Sequence, residues 1–389
     1  MNVVDGQILG GNVVGLSNKD MLRVGGKTLG YKLFRATGAV KMLPLSLTVS
    51  VTNVCNSKCK TCYIWSLYQE KPFLKKDELT TYEFGKIFES VGRSLIWLTI
   101  SGGEPFTRPD LAEICEAAYD HCHPKILIIP TNCLLPDVVL GKAKKILGIY
   151  RDSQVILNLS FDGVGKAHDL IRGVPGNFDK VIETLGRLKE LKKEFPNFEV
   201  GLHSVASQFN IRDLLSLYDY AKQQNPDNYI CEIAEHRSEL FNIDKSIEPE
   251  FAEYKRFIEE LRRRAKNDYP GKGRAARLIR AFRLKYYEHV IEELEKKRAV
   301  IPCYAGITSA QISAYGDVWP CCIMAYGASM GNLRGVGYDF RKIWFSKRAE
   351  EVRKRIKSSK CYCPMANVHY TNALCNYTTV LQVLWNSLG

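Results

Sequence analysis

Six short segments of the chain alternate between β-branched or large apolar residues and smaller polar ones, and this alternation predicts β-strands. The segments between them have apolar residues three and four positions apart, which predicts helices. The predicted strands cover residues 45–53, 95–105, 125–132, 155–163, 198–206 and 229–235, and the predicted helices cover residues 81–91, 109–122, 138–150, 177–194 and 211–224. Strands that alternate with helices indicate an α/β fold with a parallel sheet and right-handed crossovers. Because the pattern stops at six strands, it falls short of the eight of a closed barrel.

The rest of the chain differs in composition, and we expect four parts. Residues 1–44 are an N-terminal arm, in which residues 30–44 predict a short helix that covers one end of the barrel or touches a membrane surface. Residues 45–240 are the α/β domain, and residues 241–299 are a basic helical insertion. Residues 300–389 are a small second domain, because they hold six of the 13 cysteines.

Charge and cysteine content bear on partners and location. The net charge of +13 suggests an anionic partner, although a well-solvated basic surface explains it equally well. Residues 262–285 carry ten Lys or Arg and one acidic residue, which fits a solvated helical face, a phosphate-binding patch or a lipid head-group patch. The chain has no apolar run near 18 residues and no secretory pattern. We therefore expect a cytoplasmic protein with reduced thiols, with peripheral membrane association left open.

Three cysteines follow the first predicted strand in a C-x3-C-x2-C run: Cys55, Cys59 and Cys62. Soft thiolates select iron–sulfur clusters, zinc or copper(I). A structural zinc site closes with four ligands, and no further Cys or His lies within fifty residues downstream. An iron–sulfur cluster held by three cysteines keeps one iron open for chemistry. The plainer alternative is that the three thiols are simply buried.

This motif is joined by a second one, Ser-Gly-Gly-Glu-Pro at residues 101–105, at the end of the second predicted strand. Together they resemble the radical S-adenosylmethionine (radical SAM) superfamily. The resemblance implies a partial (β/α)6 barrel with a small auxiliary-cluster domain. It also implies a [4Fe–4S] cluster on Cys55, Cys59 and Cys62 whose open iron binds S-adenosylmethionine. One electron then yields a 5′-deoxyadenosyl radical, which removes hydrogen from an unactivated carbon of the substrate.

The resemblance also implies residues that bind the cofactor. They are Tyr63, Gly102, Gly103, Glu104, Pro105, Asn132, Ser160, Asp162 and Arg172. The alternative for Asp162 is a turn residue before Gly163, and the alternative for Arg172 is a surface ion pair. Cys133 is either a mechanistic thiol or a small buried hydrophobe.

The C-terminal cysteines open with Cys303, twelve residues, Gly316, four residues and Cys321. This spacing resembles the SPASM or twitch extension, and residues 312–322 predict a hairpin that turns at residues 315–317. Two auxiliary clusters would need eight ligands, and only six cysteines are present, so one [4Fe–4S] cluster is expected. Its expected ligands are Cys303, Cys321 and two of three further cysteines, namely Cys361, Cys363 and Cys375. Cys322 is then a bystander, and a zinc site on the same ligands is the alternative.

The substrate is less well defined by the sequence. The SPASM-like extension favours a peptide or protein side chain, whereas the basic insertion and the arm favour a lipid or isoprenoid chain. A nucleic acid is less favoured, because no RNA-binding module is present. A non-catalytic electron carrier needs no cofactor cleft, so the Gly-Gly-Glu-Pro motif argues against it. Both the peptide and the lipid hypothesis need an external electron donor such as flavodoxin or ferredoxin. An anionic membrane surface is a further possible partner.

Overall fold

The computed structural model describes residues 18–268, 274–359 and 361–388, and a single nine-stranded sheet runs through them. All six predicted strands are present and form parallel pairs between sequence neighbours. They are β1 (Ser46–Thr52), β2 (Trp97–Gly102), β3 (Ile126–Thr131), β4 (Gln154–Ser160), β5 (Phe198–Ala206) and β6 (Asn228–Ile233). The sheet is open at β6, so the α/β part is a partial barrel, as predicted.

Helices connect these strands, and five of them match the predicted ones closely. The connecting helices are α2 (Leu67–Glu70), α3 (Thr81–Val91), α4 (Leu111–Cys122), α5 (Pro136–Ile149), α6 (Lys166–Arg172), α7 (Asn177–Leu191) and α8 (Leu214–Gln223), and the arm contributes α1 (Asn18–Thr37). Thr80 and Glu83 form a reciprocal capping box at the start of α3. Helix α4 begins at Leu111, whereas the prediction started this helix at Pro109. The sequence analysis missed α2 and α6, which are too short to show a helical period.

The two faces of the sheet differ in polarity. On β1, Leu47, Val49 and Val51 are fully buried in the main hydrophobic core with the covering helices. Thr48 and Ser50 alternate with them and line a cavity on the concave side. The apolar face therefore stabilises the fold, and the polar face is available for binding.

The basic insertion forms two helices, α9 (Phe251–Asp268) and α10 (Arg274–Lys296). Their apolar residues are buried against the barrel, and the amide of Cys231 in β6 donates to the Tyr287 hydroxyl over 3.1 Å. The insertion thus covers the open edge of the sheet. Several of its arginines are paired with acidic groups: Arg264 contacts Asp219 at 2.7 Å and Arg262 contacts Glu288 at 3.4 Å.

The C-terminal part continues the same sheet. Its elements are β7 (Ser309–Ile312), β8 (Asp317–Trp319), β9 (Gly331–Asn332), α11 (Phe340–Trp344), α12 (Lys347–Ser358), α13 (Ala366–Leu374) and α14 (Tyr377–Leu388). The predicted hairpin is β7–β8, which turns within residues 313–316. Its first strand also pairs in parallel with β1. The parallel pattern therefore has seven strands, one more than the sequence indicated.

The arm covers one end of the barrel. In α1, Tyr31 and Phe34 are buried with Leu45 and Ile96, which precede β1 and β2. The helix runs through residues 18–37 instead of the predicted 30–44. None of the helices in the described ranges combines the length and apolarity that crossing a membrane would need.

One side chain ties the C-terminal part to the barrel and yields a stability prediction. Arg334 donates to Glu83 over 2.8 Å and to the Asp77 carbonyl over 2.8 Å. Burial raises the pKa of Glu83, but hydrogen bonds from Arg334 and neighbouring groups outweigh it and lower the pKa to about 2. We expect Arg334→Met to reduce the free energy of unfolding by about 1–2 kcal/mol, measured by chemical denaturation at pH 7.

The matched control is Arg348→Met, which removes an exposed ion pair to Glu351 and should change stability by less than about 0.5 kcal/mol. Because the pKa of Glu83 falls from 4.5 to about 2, the difference between wild type and Arg334→Met should persist above pH 4.5. It should shrink as the pH falls from 4.5 towards 2. Equal stability of wild type and Arg334→Met at pH 7 would contradict this role of Arg334.

Candidate active site

The cluster loop, residues 53–63, follows β1 and carries the three cysteines of the first motif. The amides of Lys58 and Lys60 each donate over 2.9 Å to carbonyls at the end of α6. The Tyr63 amide donates to the Leu240 carbonyl over 2.8 Å. A Cβ on Gly173, directly after α6, would stand only 2.3 Å from the Lys58 carbonyl oxygen. The loop is therefore held by close backbone contacts on this side.

Two glycines bring the end of β2 directly against the other side of the loop. A Cβ on Gly102 would stand 2.1 Å from the Thr52 carbonyl oxygen, and one on Gly103 would stand 2.3 Å from that of Val54. The Gly103 amide donates to the Thr52 carbonyl over 2.7 Å. This approach is closed to any residue with a side chain. The Gly-Gly pair thus sets the position of the cluster loop.

The three thiols influence one another, so they share one region of the site. Burial, and after it a charge on Cys59, raise the pKa of Cys55 and of Cys62 to about 12. Iron ligation removes the proton and offsets this cost. Three soft donors on one loop fit a [4Fe–4S] cluster with one open iron, and we propose that Cys55, Cys59 and Cys62 hold it.

Asp162 and Arg172 form a buried ion pair beside these thiols. Arg172 Nη1 donates to Asp162 Oδ2 over 3.1 Å, and the Val205 amide donates to Asp162 Oδ1 over 2.8 Å. Burial alone lowers the pKa of Arg172, but the Cys59 and Asp162 charges outweigh it and raise the pKa. Arg172 Nε is buried and has no partner among the described residues. Asp162 is therefore more than a turn residue, and Arg172 is not in a surface ion pair. Arg172 Nε remains available to donate to a cluster or to a cofactor carboxylate.

Glu104 and Asn132 bond to the protein instead of pointing into an open cleft. The buried Glu104 carboxylate accepts from the amides of Asn132 at 2.7 Å and Phe106 at 3.2 Å, and from the Thr131 hydroxyl at 3.0 Å. The Asn132 side chain donates to Asn56 in the cluster loop over 2.7 Å. Both were expected to bind the cofactor. We propose instead that they position β2, β3 and the loop.

The remaining expected residues surround the same end of the sheet. Pro105 is buried and starts a short turn after Glu104. Ser160 ends β4 in register with His203 of β5. Tyr63 is half-buried, and Lys245 lies 5.2 Å from the centre of its ring. Cys133 is fully buried in the hydrophobic core, as expected for a small apolar residue.

The structure brings four of the distal cysteines together. The Cys303 and Cys361 charges both raise the pKa of Cys321, after the larger effect of burial. Cys363 hydrogen-bonds to Cys361, which lowers the pKa of Cys361 and raises its own. We propose Cys303, Cys321, Cys361 and Cys363 as ligands of one cluster.

The other two distal cysteines stand apart from this group. Cys375, an expected ligand, is buried with Tyr31 and Tyr304 in the core beneath α1. Besides burial, the charge that affects the pKa of Cys375 is that of Lys32 and not that of another cysteine. We therefore leave it out of the proposed ligand set. Cys322 is buried beside Cys321 and faces a cavity.

A cavity of about 100 Å³ is lined by residues that neighbour both cysteine groups in the chain: Asn53 begins the cluster loop and Ile64 follows it, and Cys322 follows Cys321. Gly102 lines it as well. Arg237 and Glu239, which the sequence analysis missed, also line it, and Gln311 donates to Glu239 over 3.2 Å. Their position in the sequence could have indicated a role in binding, because both residues follow the carboxyl end of β6, and parallel sheets bind ligands at that edge.

A second, larger open cleft has a volume of about 720 Å³. It is lined by the loops after β5 and β6, including Phe209 and His236, and by Glu253 of α9. Its lining contains no cysteine and no residue of the Gly-Gly-Glu-Pro motif. We therefore place the chemistry in the smaller cavity.

Comparisons with known proteins agree with this arrangement. A family model described as the radical SAM superfamily matches residues 49–214, and a SPASM model described as an iron–sulfur cluster-binding domain matches residues 303–364. The fold and the two cysteine groups define an iron–sulfur enzyme on a partial barrel. The chain belongs to the radical SAM superfamily and carries a SPASM extension. It therefore uses S-adenosylmethionine and a [4Fe–4S] cluster, with an auxiliary iron–sulfur cluster in the extension.

Its relatives have different products. The chain is similar to the AdoMet-dependent heme synthase of Methanosarcina barkeri, at 26% identity over 82% of this chain and 85% of that protein. It is also similar to the antilisterial bacteriocin subtilosin biosynthesis protein AlbA of Bacillus subtilis, at 22% identity over 90% of this chain and 72% of that one. The structure of Streptococcus suis SuiB bound to its precursor peptide SuiA covers 88% of this chain, with a TM-score of 0.58 and 16% identity. That chain is covered over 73% of its length, and the likeness shows the shared fold.

The glycine contact yields a prediction about iron content. Gly103→Ala should push the cluster loop from the end of β2, because the Val54 backbone at 2.3 Å cannot rotate away as a side chain would. Reconstituted wild type should hold about eight irons per chain, and Gly103→Ala should approach about four, as should Cys59→Ala. Iron and sulfide analysis with visible absorbance measures this.

The control is Gly85→Ala in α3, where an added Cβ meets no atom within 4 Å. It should retain the wild-type iron content. Wild-type iron content in Gly103→Ala would show that the close contact does not position the cluster.

Proposed function

We propose that this enzyme modifies an amino-acid side chain within a peptide or protein. The observation that carries this proposal is the cavity of about 100 Å³ whose lining residues neighbour both cysteine groups in the chain. One water needs about 10–15 Å³ of cavity volume on this measure, so about 100 Å³ has room for one side chain. Pockets for larger small molecules run to about 300–1,000 Å³. A peptide can insert one residue here and leave the rest of its length outside.

The walls of the cavity suit a polar group that loses a proton. Arg237 stands 3.8 Å from Glu239 and also contacts the buried Glu235, so its charge is already balanced within the protein. Burial raises the pKa of Glu239, and Arg237 opposes that effect. The cofactors, when bound, supply a radical that removes a hydrogen atom. The resulting substrate radical would lose one electron to the auxiliary cluster, and Glu239 would accept the proton that an N–H, O–H or S–H group of the same side chain then releases.

The relatives support a peptide substrate, and one supports an alternative. AlbA and the SuiB complex with SuiA both concern peptides by their names. The heme synthase of Methanosarcina barkeri favours a tetrapyrrole as the second candidate, since it matches 82% of this chain. A tetrapyrrole would require the cavity to open well beyond its present volume.

The cluster loop also suggests how electrons arrive. Lys58 and Lys60 are exposed on either side of the buried Cys59. An acidic one-electron donor such as flavodoxin or ferredoxin is complementary to this surface, and we propose that it docks there. The paired arginines of α9 leave less free positive charge for a membrane or a nucleic acid.

The substrate class can be tested with fractions of host extract. The reconstituted enzyme, dithionite and S-adenosylmethionine are mixed with the peptide fraction, and 5′-deoxyadenosine is measured. We expect the peptide fraction to stimulate its formation at least several-fold, and we expect protease treatment of that fraction to abolish the effect. Stimulation that survives protease and follows tetrapyrrole absorbance would favour the second candidate and contradict the first.

Two variants locate the substrate within the structure. Glu239→Gln in the small cavity should lower formation of modified product by more than tenfold, whereas SAM cleavage without substrate persists. Glu253→Gln lines only the larger cleft and serves as the control, with product formation near wild type. The reverse pattern would place the substrate in the larger cleft.

A further inference from the structure

Three titratable side chains form a buried row next to the distal cysteines. His289 Nδ1 of α10 lies 2.9 Å from His369 Nε2 of α13, and His369 Nδ1 lies 4.0 Å from Glu293 Oε2 of α10. Their exposed fractions are 5% for His289, 2% for His369 and 3% for Glu293. Neither family model nor the chemistry of the cavity accounts for such a row. Buried ionisable groups are costly, so a chain of three calls for an explanation.

The inner end of the row carries an unsatisfied atom. Glu293 Oε1 accepts from the Val300 amide over 3.3 Å, whereas Glu293 Oε2 is buried and has no hydrogen-bond partner among the described residues. Burial, and to a smaller extent the charges on Cys361 and Glu292, raise the pKa of Glu293 to about 7, although the hydrogen bond from the Val300 amide opposes them. The carboxyl group therefore responds to charge at the distal cysteines and exchanges its proton near neutral pH.

Partly exposed charged groups lie near the His289 end of the row. The charged groups nearest His289 are Lys285, Glu288 and Glu292, all on α10, and Lys296 pairs with Glu292 at the surface. Helix α13 contributes His369 to the row. The Tyr286 ring packs against His369, and its hydroxyl donates to the Pro364 carbonyl over 2.6 Å, next to Cys363.

We propose that Glu293, His369 and His289 form a proton-transfer chain between the solvent side of α10 and the pocket of the distal cysteines. A cluster held by those cysteines would become more negative on accepting one electron from the substrate radical or from an external one-electron donor. One proton then passes from solvent through His289 and His369 to Glu293, which becomes neutral. The uptake of one proton balances the uptake of one electron without a charge left buried. This inference rests on the proposed ligand set and not on the identity of the substrate.

Burial keeps both imidazoles neutral, which suits transfer by exchange of tautomers. Burial lowers the pKa of His289 to about 4, and the Lys285 charge adds to this effect. Burial likewise lowers the pKa of His369 to about 3. A neutral imidazole accepts a proton on one nitrogen and releases one from the other, so neither ring needs to hold a lasting charge.

The reduction potential of the distal cluster tests the proposal. The full chain with Cys59→Ala is reconstituted, so that the remaining cluster signal comes from the distal cysteines, and its potential is measured by EPR-monitored titration from pH 6 to 9. Below the pKa of Glu293, near 7, the potential should be constant, because the carboxyl is protonated in both redox states. Above it, the reduction equilibrium should weaken tenfold per pH unit, or about 59 mV, until the pKa in the reduced state is passed.

Glu293→Gln should remove this slope, because the amide has no proton to exchange. Glu292→Gln, the neighbouring surface residue on the same helix, is the control and should keep it. If Glu293→Gln loses iron, His369→Gln interrupts the same chain. Cluster reduction in wild type should then be slower in D₂O than in H₂O, and His369→Gln should not show this difference. A potential independent of pH in the wild type, or a slope retained in Glu293→Gln, would overturn the proposal. Absence of any cluster in Cys59→Ala would refute the ligand set instead.

Discussion

The site depends on a single steric constraint, namely that the backbone at the end of β2 lies in direct contact with the backbone of the cluster loop. Gly102 and Gly103 permit this contact, and the amides of Gly103 and Glu104 fix it by donating to the carbonyls of Thr52 and Val54 over 2.7 and 2.8 Å. The three thiols owe their position to these bonds. A loop has little regular structure of its own, so the neighbouring strands β1 and β2 fix the position of the cluster loop.

Buried charge supports this contact from a second direction. The Asp162–Arg172 pair joins the end of β4 to the end of α6, whose last carbonyls receive the amides of the cluster loop. Removing one partner of such a pair leaves an uncompensated charge away from water. Glu104 acts in a similar way between β2 and β3. The polar residues at the strand ends thus stabilise the scaffold, in addition to any contact with a cofactor.

Periodicity and spacing revealed the parts of the structure that rest on local rules. Six strands, five of the helices and both cysteine groups follow from short-range patterns. The seventh parallel strand, Ser309–Ile312, is only four residues long and shows no lasting alternation, so its pairing with β1 was not visible. The placement of Cys375 depends on where α1 packs, which is a tertiary matter. The same holds for the pairing of Arg172 and for the row of His289, His369 and Glu293, whose members lie up to 80 positions apart.

The shared sheet makes the SPASM extension part of the barrel's construction. β1, which leads into the cluster loop, is hydrogen-bonded to β2 on one side and to β7 of the extension on the other. Without the extension, β1 would become an unpaired edge, and exposed edges invite pairing with other chains. Removal of the extension would therefore expose a strand edge directly beside the cluster loop.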